Sequence, residues 1–117
     1  QGEHGRENAR LLANKLFAMD EPPTAIFAST DTQAIGVLEA ARLAGIRVPE
    51  QLSVIGYNDI RDAEYMNLTT VRQPLFESGV HGVERLLDLI ENPEQAPEQI
   101  TLPLEIVHRK TTAIAPG

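Results

Sequence analysis

Two short polar clusters carry the side chains best suited to chemistry here: Thr30 and Asp31 in "ASTD", and Tyr57, Asn58 and Asp59 in "GYND". Hydroxyls, amides and carboxylates are the groups that hydrogen-bond sugar hydroxyls; a carboxylate accepts two such bonds, and an amide pairs an acceptor with a donor. Tyr57 adds an apolar face or packs beneath a site, and Gly56 lets the chain turn or approach a ligand closely. Each cluster also has a plainer reading. Thr30 and Asp31 are both good helix N-caps, and Asn58 and Asp59 suit a turn on their own account. Gln73, beside Pro74, is a further binding candidate or a simple loop amide. Asp31 and Asp59 are the residue types used in acid/base catalysis. No phosphate-cradling glycine loop, Ser/His/Asp arrangement or metal-ligand spacing accompanies them, and His4, His81 and His108 fall on different segments. The chain has no cysteine, which excludes disulfides and thiolate chemistry. The expectation is a protein that is not an enzyme and needs no metal or cofactor.

These clusters need elements to hold them. Ala9, Leu12, Leu16 and Met19, widened by Ala13 and Phe17, predict a helix over 6–19, ended by "DEPP". "TAIFA", 24–28, is a continuous apolar run, as in a strand covered on both faces. Thr30 with Gln33 offers a capping box to a helix over 32–44, built on Ala34, Ile35, Leu38 and Ala41 and stopped by Gly45. "LSVIG", 52–56, is the next strand. A strand–helix–strand unit of this length predicts parallel strands with a right-handed crossover, hence an α/β fold with a parallel sheet flanked by helices. The two polar clusters then follow the carboxyl ends of the two strands, where open parallel sheets bind ligands.

Residues 60–69 read as irregular and polar, and "TTVRQP", 69–74, as a short extended stretch halted by Pro74. The clearest helix is 75–91, where Val80, Val83, Leu86, Leu87 and Ile90 keep helical spacing before Asn92 and Pro93. "ITLPLEIVHRKT" reads as extended chain, in which Leu104, Ile106 and His108 alternate with Glu105, Val107 and Arg109; Pro103 implies an edge. The tail "AIAPG" is expected to fray.

The 117 residues carry a net charge of -7, with ten scattered basic residues, which argues against nucleic-acid binding by this segment. No apolar run approaches the roughly 20 residues that span a bilayer. The chain opens on Gln1 rather than Met and is expected to be part of a larger protein.

The segments "PPTAIFASTDTQAIGVLEAARLAGIRVPEQLSVIGYNDI", "LTTVRQPLFESGVHGVERLLDLIE" and "LPLEIVHRKTTA" resemble, from Pro22 to Thr112, the C-terminal part of a lactose/galactose-repressor (LacI/GalR) family transcription regulator. The resemblance implies a partial periplasmic-binding-protein-like (type I) domain, mostly its C-terminal lobe, with helix 75–91 crossing to the N-terminal lobe. A small effector, a sugar or related polyol or nucleoside, would sit between the lobes. It would modulate operator binding by a DNA-binding domain that this chain lacks, in a cytoplasmic protein. The ligand-binding set implied is Thr30, Asp31, Tyr57, Asn58, Asp59 and Gln73, with Asp31 also acting as cap and support. Asn58 stands where the family commonly has aspartate, and Thr30 where many members have asparagine. A homodimer is implied, with Ala34, Leu38, Ala41, Asp62, Tyr65 and Met66 at its interface. Uncovered apolar faces and sheet edges also make self-association the expectation for a chain of this extent. The alternative is the periplasmic sugar-binding protein of an ABC transporter, which has the same fold; the terminal "LEIVHRKTT" favours the regulator.

Overall fold

The computed structural model describes residues 5–96 and 99–116; His4 and the last residue of the "AIAPG" tail lie outside them. The chain forms two compact units, one running to Arg72 and resuming at Ile106, the other Gln73–Glu105.

The first unit contains α1 (Arg6–Phe17), β1 (Ala25–Phe27), α2 (Asp31–Leu43), β2 (Ser53–Ile55), α3 (Arg61–Tyr65) and β3 (Thr70–Arg72). After α4 (Leu75–Glu91) of the second unit, the chain returns through β4 (Glu105–Val107), which pairs with β3.

Both ends of α2 follow from local chemistry. The Thr30 hydroxyl caps it by accepting from the Gln33 backbone N–H at 3.1 Å. The Gln33 side chain accepts from the Ser29 hydroxyl. At the other end Gly45 adopts φ +75, while the N–H groups of Gly45 and Ile46 donate to the carbonyls of Arg42 (3.2 Å) and Ala41 (2.9 Å). That is a Schellman stop, and the positive φ is why glycine sits there.

β1 and β2 pair in parallel, Ala25 with Ser53 through Phe27 with Ile55, as the strand–helix–strand pattern predicts. β2 is bonded on both sides. On its other edge the Val54 N–H donates to the Thr111 carbonyl (2.8 Å) and the Gly56 N–H to that of Thr69 (2.9 Å). Leu52 and Val54 form the core with Ala34, Val37, Ala40 and Ala41 of α2 and with Ala63 and Leu68.

Four expectations need correction. The α1 contact is made by small residues: Ala9 and Ala13 are buried while Leu12, Leu16 and Met19 stay substantially exposed. The helices meet so closely that a Cβ on Gly36 would lie 2.2 Å from the Arg6 carbonyl oxygen. β1 is not covered on both faces, because Ala25 and Phe27 are exposed and only Ile26 turns partly inward. Residues 60–69 are not irregular: α3 and the following turn bury Ala63 and Leu68 completely. The tail is anchored as far as Ala113, whose N–H and carbonyl both bond the Ser53 hydroxyl, and Ile114 is exposed beyond it.

The interface expectation also changes. Ala34 and Ala41 are 0% exposed within the single chain, so they present no surface to a partner. Leu38 is half-buried against the core, whereas Asp62, Tyr65 and Met66 are exposed.

In the second unit α4 spans the predicted 75–91 and no residue of it is buried. Leu75, Phe76, Val83, Leu86, Leu87 and Ile90 leave its apolar face open.

Candidate functional site

Asp31 is the first residue of α2 and is 0% exposed. Its Oδ2 accepts from the Ile60 backbone N–H at 2.8 Å, and its Oδ1 from the Thr70 hydroxyl at 2.6 Å. The Asp31 N–H donates to the Tyr57 carbonyl at 3.0 Å. A carboxylate at a helix N-terminus also gains from the helix dipole. Asp31 is therefore neither the N-cap, which is Thr30, nor a residue that can touch a ligand. It joins α2 to the turn after β2 and to β3. Gly56 is glycine because Asp31 lies against it: a Cβ there would stand 2.2 Å from Asp31 Oδ1 and 3.0 Å from Leu68 Cδ2.

Beyond Gly56, Asn58 and Asp59 take positive φ values of 113° and 58°. Asn and Asp tolerate the left-handed region better than most residues, and bonds on both sides hold them there. The Asn58 N–H donates to the Val71 carbonyl at 2.9 Å, and the Asp59 N–H to Thr70 Oγ1 at 3.3 Å. The Asp59 carboxylate is clamped: Oδ2 accepts from Arg72 Nε at 2.8 Å and Oδ1 from Arg109 Nη2 at 2.9 Å. Arg109 also donates through Nη1 to the Leu68 carbonyl at 2.9 Å. Asp59 is thus an anchor engaged by two arginines rather than the ligand grip expected of it.

Burial raises the Asp59 pKa, but hydrogen bonds from Arg109 and Arg72, with their charges, outweigh it and leave the carboxyl below its ordinary 3.8. Because the folded value lies below the unfolded one, the ion pairs stabilise the chain fully above the unfolded pKa. That stability is lost as pH falls through the folded pKa. Asp59→Asn should cost about 1–2 kcal/mol near neutral pH, as expected for losing charge-assisted bonds. The gap between parent and variant should close below the ordinary value of 3.8. Urea denaturation of both proteins across that range is the check; a gap that does not depend on pH would contradict the clamp.

The outward face holds the ligand-competent groups. Phe27 (66% exposed), the exposed Ser29 and the half-buried Tyr57 line a shallow cavity of about 300 Å³ at the carboxyl ends of β1 and β2. Asn58, next along the chain, is exposed, and Thr30 is half-buried with its hydroxyl engaged as the cap. The structure thus brings Tyr57 to the rim with two residues the sequence reading did not select, Phe27 and Ser29. Phe27 read as core because it continues an apolar run; its place at the strand's carboxyl end was the available signal. Gln73 begins the second unit and is not among the groups that the first unit assembles. Among the described residues no group of three or more His, Asp or Glu is arranged for a metal, and no helix is long and apolar enough to cross a membrane.

The chain belongs to the periplasmic binding protein-like domain family, whose model matches residues 1–112, and it is similar to transcription regulators of the LacI type. It is 42% identical over 113 residues to the HTH-type transcriptional repressor PurR of Vibrio cholerae, an alignment covering 95% of this chain and 34% of that protein. The structure of a putative LacI regulator from Bacillus cereus subsp. cytotoxis superposes with a TM-score of 0.84 at 29% identity, covering 94% of this chain and 40% of the other. A LacI family regulator from Enterococcus faecium, solved with bound ribose, superposes with a TM-score of 0.80 at 35% identity, covering 93% and 41%. The chain spans about a third of the length of the curated relative it matches.

Proposed function

We propose that this chain is the effector-sensing part of a LacI-family transcription regulator, and that a small sugar-like molecule seats on Phe27, Ser29, Tyr57 and Asn58. The observation that carries this is the exposed ring of Phe27. Leaving a Phe side chain in water forgoes about 1.5–3 kcal/mol of burial, and a ligand with an apolar face recovers it. Sugar rings and nucleosides combine such a face with hydroxyls for Ser29 and Asn58 to bond. The carboxylates of Asp31 and Asp59 are bonded within the protein, and the polar groups at the rim, the Ser29 hydroxyl that also donates to Gln33 and the Asn58 amide, are neutral. This favours an uncharged sugar, polyol or nucleoside. The ribose-bound relative supports the class. A contact from Gln73 rests on the family resemblance alone.

In this reading, operator DNA is bound by a domain outside this chain, and effector binding changes that affinity. The protein is a cytoplasmic homodimer, with Leu38, Asp62, Tyr65 and Met66 toward the partner. The open apolar face of α4 is assigned to the N-terminal lobe. No enzymatic step is involved. The repressor relative favours this reading over a transport receptor.

Titration calorimetry on the full-length protein with ribose, sucrose and a nucleoside tests the proposal. Saturable binding of one of them is expected, and Phe27→Ala and Asn58→Leu should each weaken it at least tenfold, about 1.4 kcal/mol. For Asn58 the loss follows because ligand groups would be left without partners; for Phe27 it follows from the apolar burial forgone. Affinity unchanged by both substitutions would remove this rim from the site.

A further inference from the structure

The Asp59 clamp does more than hold a turn. The chain leaves the first unit after Arg72 and re-enters it at Ile106. One arginine of the clamp, Arg72, is the last residue before the outward crossing. The other, Arg109, lies just past the inward one, two residues beyond the end of β4. Both donate to the same carboxylate, at 2.8 and 2.9 Å. That carboxylate belongs to the residue after Asn58, in a segment whose backbone sits at positive φ at both positions.

We infer that Asp59 is a positioning residue that ties the effector rim at Asn58 to both chain crossings, so that displacement of either crossing is transmitted to the rim. The inference rests on the proposed effector site for its meaning as regulation, but its mechanical content stands on the first unit alone. Four further contacts give the link its stiffness. The Arg109 N–H donates to Thr69 Oγ1 (3.0 Å) and Arg109 Nη1 to the Leu68 carbonyl (2.9 Å). The Asn58 N–H donates to the carbonyl of Val71, the residue before Arg72 (2.9 Å), and the Asp59 N–H to Thr70 Oγ1 (3.3 Å). Rim and crossings are therefore held by side chains and backbone that meet at one carboxylate. Removing its charge should loosen all three places at once.

Hydrogen–deuterium exchange on this chain without any effector reads that coupling. Asp59→Asn, close in shape to the parent, should raise exchange about tenfold at Asn58, at Gln73 and Leu75, and at Ile106–Arg109, as local opening does. The amides of Ala40, Leu52 and Val54, which open with the whole fold, should rise no further than the loss of global stability read in urea accounts for, and less than the rim and the crossings. Arg72→Gln should loosen Asn58 with the outward crossing only, and Arg109→Gln should loosen Asn58 with the inward crossing only. A rise at the rim and the crossings no larger than that at the core amides would mean that Asp59 merely stabilises the fold. A rise confined to Asn58, or no rise at all, would break the link to the crossings. If no sugar binds the full-length protein, the effector reading falls while the exchange pattern stands. If the pattern fails, the effector titration is untouched.

Discussion

Asp31→Ala should destabilise this chain by about 3–5 kcal/mol, the sum expected when two charge-assisted hydrogen bonds are lost in a buried setting. The substitution leaves the Ile60 N–H and the Thr70 hydroxyl without their acceptor, at a position with no access to water. The cost of removing the carboxylate exceeds the net worth of having it, because the Thr70 hydroxyl stays buried and the Ile60 N–H partly so. A domain is stable by about 5–15 kcal/mol in total, so much of the variant should be unfolded at modest urea. Asp31→Asn keeps the shape and one acceptor oxygen and should lose less than half as much. Urea denaturation followed by circular dichroism separates the two. An Asp31→Ala midpoint within about 1 kcal/mol of the parent would show that the buried bonds do not hold the turn.

Gly56→Ala should be damaging out of proportion to the single methyl group it adds. A methyl group there would meet Asp31 Oδ1 at 2.2 Å, Leu68 Cδ2 at 3.0 Å and the Asp31 Cα at 3.1 Å. Asp31 cannot swing away, since its two oxygens are bonded and its backbone begins α2. Relief requires the end of β2 to separate from the start of α2. Overpacking of this kind costs about 1–3 kcal/mol, and the upper end applies because the displaced group is a buried carboxylate. The shift would also spread Phe27 and Tyr57, which line the proposed effector rim. The expected result is a lower denaturation midpoint together with a moved Ile60 amide resonance. A variant as stable as the parent, with that resonance in place, would mean that the glycine is not required by the close approach.

Several features were legible from residue order because their causes are local. The apolar spacing of Val80, Val83, Leu86, Leu87 and Ile90 set α4 over the predicted residues, and Thr30 with Gly45 bounded α2 to within a residue. Two apolar runs separated by a helix of this length left parallel pairing as the expected arrangement, which β1 and β2 adopt. The same logic located "ASTD" and "GYND" at the strand ends. What each polar group does there was decided by contacts far apart in sequence. Asp59 meets Arg72 and Arg109, 13 and 50 residues onward, and Asp31 meets Thr70 39 residues onward. No local pattern distinguishes a carboxylate that will be clamped by arginines from one that will face a ligand. Ala63 and Leu68 are buried although their segment is mostly polar, because two isolated apolar residues carry no period. Leu12 and Leu16 look like the packing face of α1, yet the approach of α2 at Gly36 leaves room there only for Ala9 and Ala13. Phe27 is the clearest case. Its type and its place in an apolar run determined that it would lie in a strand; only the tertiary arrangement, which leaves that side of β1 open, placed its ring at the surface, on the rim where the effector is proposed to sit.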